Sequence, residues 1–380
     1  GRPLLAGGDP TASAGAPAAL RPRSRRSAPP PDHRRHVYVE TFSRAKDPAR
    51  PELNEDRAVV YGGRTFAVID GVTDKSGLSH GGLTGGVLAG RALEAALREL
   101  TDEGALASAP APEVAARLTA AVAAEHERWG VAEEAARDPT RRFAAAVVLA
   151  HVADGAVRVI GIGDCGARVN GRVVVQGRNR ADAVLSALRA AAFAALAEVE
   201  PAATLERRLE LARAYTVHGV GDVPPGEDLG AGTHAAVAAR AREAALAAAA
   251  GWPADLAEEV VRGGLRAVAA LRRVGADGAS ALGRAGLDFG VVDGSPIADR
   301  HVQEHRCRLD GLDALELFSD GYFGCPERHG RVALWEAHFS EVERVDPHRV
   351  GAFASTKGSY GGRYADDRTV VIVRRDPPAA

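Results

Sequence analysis

Apolar and polar positions along this chain repeat with two periods, and the period switches several times. HVYVETFS (36–43) reads as a strand. DRAVV (56–60) and RTFAVID (64–70) are apolar runs joined through Tyr61-Gly62-Gly63, which predicts a hairpin. A Gly-rich stretch from Gly71 to Gly86 follows. VLAGRALEAALREL (87–100) and EVAARLTAAVAAEHERWG (113–130) then carry helical periodicity. Two further hairpins are expected, FAAAVVLAHV with AVRVIGIG around Asp154-Gly155, and ARVN with RVVVQ around Asn170-Gly171. Asx-Gly between β-rich runs is the strongest short hairpin signal. From Ala181 to Val274 the texture turns to Ala, Leu, Arg and Glu, broken at VGDVPPGEDLGAG and GWP, which predicts three or four helices. LDFGVVDG (287–294), RHVQEHRCRLD (300–310), ALELFSDG (314–321) and RTVVIVRR (368–375) read as strands. Strands joined by tight turns pair antiparallel, so the order argues for an α+β fold with residues 181–274 as a helical insertion.

Composition narrows the function classes. The hydrophobic fraction of 46% supports a sizeable core, and aromatics at 5% leave Ala, Val and Leu to fill it. A formal net charge of −2 argues against a general nucleic-acid binder. Three scattered cysteines with no CxxC pair support neither a disulfide framework nor a structural zinc site, and a cytoplasmic setting is expected. No apolar run approaches the roughly 20 residues that span a bilayer. Residues 1–35 form a basic, Pro/Ala/Arg-rich tail without a signal-peptide core, expected to be disordered. The chain begins at Gly1 and holds no Met, which points to a fragment or a processed or trimmed form.

The candidate chemistry lies in carboxylates at strand ends. Glu55-Asp56 precedes DRAVV's apolar residues, and Asp70-Gly71 follows RTFAVI. Asp164 follows AVRVIGIG, Asp320-Gly321 follows ALELFS, and Asp366-Asp367 precedes RTVVIV. Strand ends on one edge of a sheet can gather residues distant in sequence. Carboxylates so gathered repel one another unless protonated or neutralised by cations. Oxygen ligands suit Mg²⁺ or Mn²⁺ rather than zinc. Any one Asp-Gly alone is an ordinary turn.

Taken in order, NEDR (54–57), VIDG (68–71), GIGDCGAR (161–168), LFSDG (317–321) and ADDRTVVIV (365–373) resemble the motifs of the protein phosphatase 2C family, over roughly residues 37–177 and 285–375. The resemblance implies a four-layer α/β/β/α sandwich of two antiparallel sheets flanked by helices, with residues 36–377 as the catalytic domain and the helical insertion in the flap region. It implies a metal-dependent protein serine/threonine phosphatase holding two Mn²⁺ or Mg²⁺ ions, with a third, weaker site. Asp70 would bridge two ions, the Gly71 carbonyl would bind one of them, and Asp320 and Asp366 would complete the ligands of the first ion. Glu55 and Asp56 would act through bound water, and Asp164 would serve the third site. A metal-bridging hydroxide would attack the phosphorus in line. The partner would be a phosphorylated protein, with the insertion available to a regulatory partner.

The sequence departs from that family in three places. Val72 stands where a His usually follows Asp-Gly, and His80-Gly81-Gly82 comes eight residues later, so His80 is the candidate general acid. Pro51 stands where the phosphate-binding Arg is expected, so Arg50 is the candidate, with Arg44 in reserve. Asp367 replaces an Asn, which leaves open whether Asp366 or Asp367 points inward. A formal GxGxxG at Gly161–Gly166 precedes a predicted hairpin rather than the helix a dinucleotide site needs. Two alternatives stand beside the phosphatase: a catalytically weak regulatory scaffold on the same fold, and a hydrolase of small phosphate esters.

Overall fold

The computed structural model describes residues 37–73, 78–221, 229–272 and 280–375; the expected N-terminal tail lies outside them. In chain order the first elements are strands β1 (Val37–Arg44), β2 (Arg57–Tyr61) and β3 (Thr65–Gly71), followed by helices α1 (Gly85–Asp102), α2 (Ala105–Ser108), α3 (Ala111–Arg128) and α4 (Ala132–Arg137). Then come β4 (Ala145–Ala153), β5 (Ala156–Ile162), β6 (Gly166–Val169) and β7 (Arg172–Gln176). A helical block follows, with α5 (Arg180–Val199), α6 (Leu205–His218), α7 (Ala231–Ala248) and α8 (Ala254–Leu271). The chain continues through α9 (Ala281–Arg284), β8 (Gln303–Arg308), β9 (Ala314–Phe318), α10 (Val332–Val345) and β10 (Arg368–Arg375).

The strands form two five-stranded antiparallel sheets, ordered β1-β10-β9-β6-β7 and β2-β3-β4-β5-β8. Both Asx-Gly hairpins form, with Asp154 and Asn170 at positive φ, as two-residue turns between right-twisted strands require. Phe66, Val68, Val148, Leu315 and Val371 lie between the sheets. On the outside, Leu93, Leu97, Val114 and Leu118 of α1 and α3 cover Ile69 and Leu149 of one sheet. Trp335 and Phe339 of α10 cover Phe318, Val370 and Ile372 of the other. Helix, sheet, sheet, helix is therefore the layer order. Central strands β3 and β9 are buried along their whole length, whereas edge strand β8 alternates half-buried and exposed. Residues 180–271 pack around a separate core that includes Leu188, Tyr215, Val237 and Val260.

Two expectations change. LDFGVVDG is not a strand. It makes a single bridge, Val292 to Ala145, and then bends where Asp293 takes ion pairs from Arg142 and Arg272 at 3.2 Å each and Gly294 adopts positive φ. Helix α10 was not anticipated, although Trp335, Phe339 and Val342 stand at helical spacing on its buried face.

Candidate functional site

Antiparallel register brings the acidic motifs to one end of the sandwich. The start of β2 pairs with the end of β3 (Arg57 with Ile69). The start of β4 pairs with the ends of β3 and β5 (Ala146 with Asp70, Val147 with Ile162). In the other sheet the start of β10 pairs with the end of β9, Val370 with Phe318. Glu55, Asp56, Asp70, Asp164, Asp320, Asp366 and Asp367 all hang from these ends. Gly71, the last residue of β3, is needed for close approach rather than for a turn. A Cβ there would lie 2.6 Å from the Gly86 carbonyl oxygen of α1 and 2.8 Å from that of Glu55.

The carboxylates fall into two sets. Glu55 and Asp367 are already engaged by the chain's own donors. Glu55 accepts from Lys46 Nζ at 2.5 Å, Thr73 Oγ1 at 2.6 Å and Thr84 Oγ1, the N-cap of α1, at 2.7 Å. Asp367 accepts from the Lys46 backbone N–H at 2.6 Å and the Glu55 N–H at 3.3 Å. It therefore brackets the loops that carry the others.

Asp56, Asp70, Asp164, Asp320 and Asp366 form the second set. Asp56 Oδ2 accepts from Ser319 Oγ at 2.7 Å, while Asp56 Oδ1 and Asp320 Oδ1 are buried without a hydrogen-bond partner. Asp366 accepts from Lys357 Nζ, which also stands 3.8 Å from Asp320 Oδ1, so Asp366 shares a cation with this set.

Electrostatics separates the members further. Burial, then the charges of Asp56 and Asp320, push the Asp70 carboxyl well above the ordinary range. Burial and then Asp367 do the same to Asp56. Burial raises Asp164 and pushes Asp320 up to about 7. Asp366 goes the other way: burial would raise it, but Lys357 and then Lys46 hold it below its usual value. A low-dielectric cluster of carboxylates resists ionisation unless cations enter it.

The other candidates sit differently. The His80 ring packs edge-on against Phe143 at 4.9 Å and Trp129 at 6.0 Å, in a turn closed by hydrogen bonds between His80 and Leu83. Arg50 is exposed, with Glu52 at 3.8 Å. Arg44 lies over the Tyr364 ring at 5.2 Å. The structure brings none of these three to the carboxylates among the contacts of the described residues. It brings instead three cations that the motifs did not indicate. Lys46 and Lys357 touch the carboxylates. Arg178 lines a cavity of about 130 Å³ together with Asp164, Val72, Asn179, Arg300 and His301. Arg300 and His301 both reach Asp288, whereas Arg178 has no ion-pair partner among the described residues.

Two tests bear on a metal ion at this end of the sandwich. The donor chemistry fits Mg²⁺ or Mn²⁺: oxygen ligands only, two of them orphaned. The spacing is more open, since among the described residues no three His, Cys, Asp or Glu side chains are arranged to hold one ion as they stand.

No family model and no curated protein sequence matches the chain. Solved structures do. A bacterial serine phosphatase is 12% identical with a TM-score of 0.41, covering 91% of this chain and 100% of that one. The catalytic domain of the serine/threonine protein phosphatase PstP, in complex with two manganese ions, is 14% identical with a TM-score of 0.37, covering 90% and 99%. The serine/threonine phosphatase Stp1 from Staphylococcus aureus is 12% identical with a TM-score of 0.39, covering 90% and 96%. At these scores the likenesses carry none of the functional argument, which rests on strand order and side chains. Among the described residues no helix is long and apolar enough to cross a membrane.

Proposed function

We propose that this chain is a divalent-metal-dependent phosphomonoester hydrolase acting on phosphoserine or phosphothreonine in proteins. One observation carries the reading: carboxylates from five strand ends, those of Asp56, Asp70 and Asp366 buried, gather at one end of the sandwich, where one oxygen each of Asp56 and Asp320 lacks a hydrogen-bond partner. The resemblance of the five motifs to protein phosphatase 2C supports the reaction class and the protein substrate. Asp70, Asp320 and Asp366 would hold Mn²⁺ or Mg²⁺, with the Gly71 carbonyl, Asp56 and Asp164 beside them. Bound there, such ions supply Lewis-acid stabilisation of a phosphoryl group and lower the pKa of water.

The chain's own residues do the rest. Ser319 fixes one oxygen of Asp56 by a hydrogen bond and leaves the other for the site. Asp367 and Glu55 hold the loops through Lys46, Thr73 and Thr84. Arg178 stands at the cavity beside Asp164, where its guanidinium could meet phosphoryl oxygens as a fork donor. His80 and Arg50 have no part in this reading, because their contacts lie elsewhere.

The test is hydrolysis of p-nitrophenyl phosphate by the full chain with Mn²⁺, with EDTA, and with Asp70→Asn. Activity that needs both the metal and Asp70 supports the reading. Activity that survives EDTA sinks it. One observation favours a second reading, a binding scaffold without turnover: Lys46 and Lys357 already bring positive charge to the carboxylates. A folded protein that binds Mn²⁺ and hydrolyses nothing would favour that alternative.

A further inference from the structure

Lysine is rare in this chain. It occurs at 46, 75 and 357, within a total of 48 lysines and arginines. Two of the three stand at the carboxylate cluster. Elsewhere buried carboxylate partners are arginines, as in Arg158–Glu304, Arg168–Glu316 and Arg368–Glu336. The two cations are not equivalent. Guanidinium is a broad planar fork, whereas ammonium is a compact point charge that carboxylate oxygens can surround as they surround a small metal ion.

Lys357 Nζ hydrogen-bonds Asp366 Oδ2 and stands 3.8 Å from Asp320 Oδ1, the oxygen without a hydrogen-bond partner. Asp320 and Asp366 are two of the three carboxylates that the proposed function assigns to the divalent ion.

The loop that carries Lys357 is built to hold it there. Asp346 at the end of α10 accepts from the N–H groups of Val350, Gly351 and Phe353 at 2.8–3.0 Å. From the helical block, buried Arg189 of α5 donates Nη1 to the carbonyls of His348 at 2.9 Å, Arg349 at 2.7 Å and Ser355 at 3.4 Å. Gly358, next to Lys357, has no room for a side chain: a Cβ would fall 1.9 Å from Arg189 Nη2. The lysine is thus delivered to the acidic end of the sandwich by a loop pinned to another helix.

We propose that Lys357 is a resident counter-cation of the carboxylate cluster, whose ammonium competes with the divalent ion for Asp320 and Asp366 and is displaced when that ion binds. The inference rests on the metal-dependent reading above and adds to it a residue of this chain that sets metal affinity. Arg189 is the positioning residue, since it holds the loop without touching the carboxylates in the contacts described.

The experiment uses the full chain, stripped with EDTA and titrated with Mn²⁺ by calorimetry, as wild type, Lys357→Gln and Lys357→Met. Both neutral variants should bind Mn²⁺ about ten-fold more tightly or better, because no charged hydrogen bond has to break first. Equal or weaker binding overturns the proposal. A second measurement needs no variant. The acetylation rate of Lys357 by an N-hydroxysuccinimide ester, read by peptide mass spectrometry against Lys46, should rise several-fold at saturating Mn²⁺; an unchanged rate overturns the proposal as well. Mn²⁺ binding with no difference between wild type and variants defeats this inference alone. No Mn²⁺ binding by any of the three defeats the metal-dependent reading with it.

Discussion

The sandwich and the helical block solve opposite problems. The block fills its core with Ala, Leu and Val, and its charged side chains pair across the surface, as in Arg240–Glu198 and Arg242–Glu258. The sandwich buries Asp56, Asp70, Asp366 and Asp367 at one end, and its Val- and Leu-rich core must outweigh their cost. Buried charge of one sign is unfavourable unless something else enters, so the costly end of the molecule is where function belongs. Arg189 is the point where the two regions meet in kind: a charge buried in the block, spent on the loop that reaches the acidic end.

The largest expected effect breaks this comparison at its acidic end. Asp70→Asn and Asp320→Asn should each remove metal-dependent hydrolysis. The metal-free protein should melt no lower than wild type, because each change replaces a carboxyl whose charged form is disfavoured, first by burial and then by neighbouring carboxylates. A lower melting temperature with activity retained would make these carboxylates structural. Next is Arg189→Met. It takes the Arg189 donor from the His348 and Ser355 carbonyls, while the Arg349 carbonyl keeps the Ser355 N–H at 3.1 Å, so urea unfolding should show a loss of about 1–3 kcal/mol for each of the two. Unchanged stability would uncouple the block from the loop.

A smaller effect should appear with pH. Burial holds His126 below its usual 6.5, and the neutral ring accepts from the Phe143 N–H at 2.9 Å. A base whose folded pKa is depressed binds fewer protons folded than unfolded. Stability is therefore full above about pH 6.5 and falls as the pH drops below it. Melting followed from pH 7.5 to 5 should fall for wild type and fall less for His126→Gln; parallel curves would remove His126 from the account. Smallest of all, Arg240→Ala on the block's surface should leave melting unchanged, since exposed ion pairs contribute little.

Much of the fold was legible because its signals are local. Asp154-Gly155 and Asn170-Gly171 encode their turns within two residues, and the Ala-rich texture after Ala181 announces helices. LDFGVVDG misled because its apolar run packs as a bent segment that buries Val292 without joining a ladder. The acidic residues were legible as a set, since each closes or opens a strand. Their division into engaged and open groups was not, because it depends on donors distant in sequence: Asp367 meets a Lys46 backbone N–H 321 positions away. The sequence left Asp366 and Asp367 undecided for the same reason. Lys357 had a signal of its own, the scarcity of lysine, which becomes informative once its neighbours in space are known. Arg178 lines the cavity from the turn between β7 and α5, a placement that no motif in the sequence signals.

The most direct test is phosphate release from a phosphothreonine peptide by the full chain as Mn²⁺ is titrated, run beside Asp320→Asn. The account predicts release that rises and saturates with Mn²⁺ in the wild type and stays at background in the variant. Release of equal rate in both, or release that ignores Mn²⁺, would contradict it.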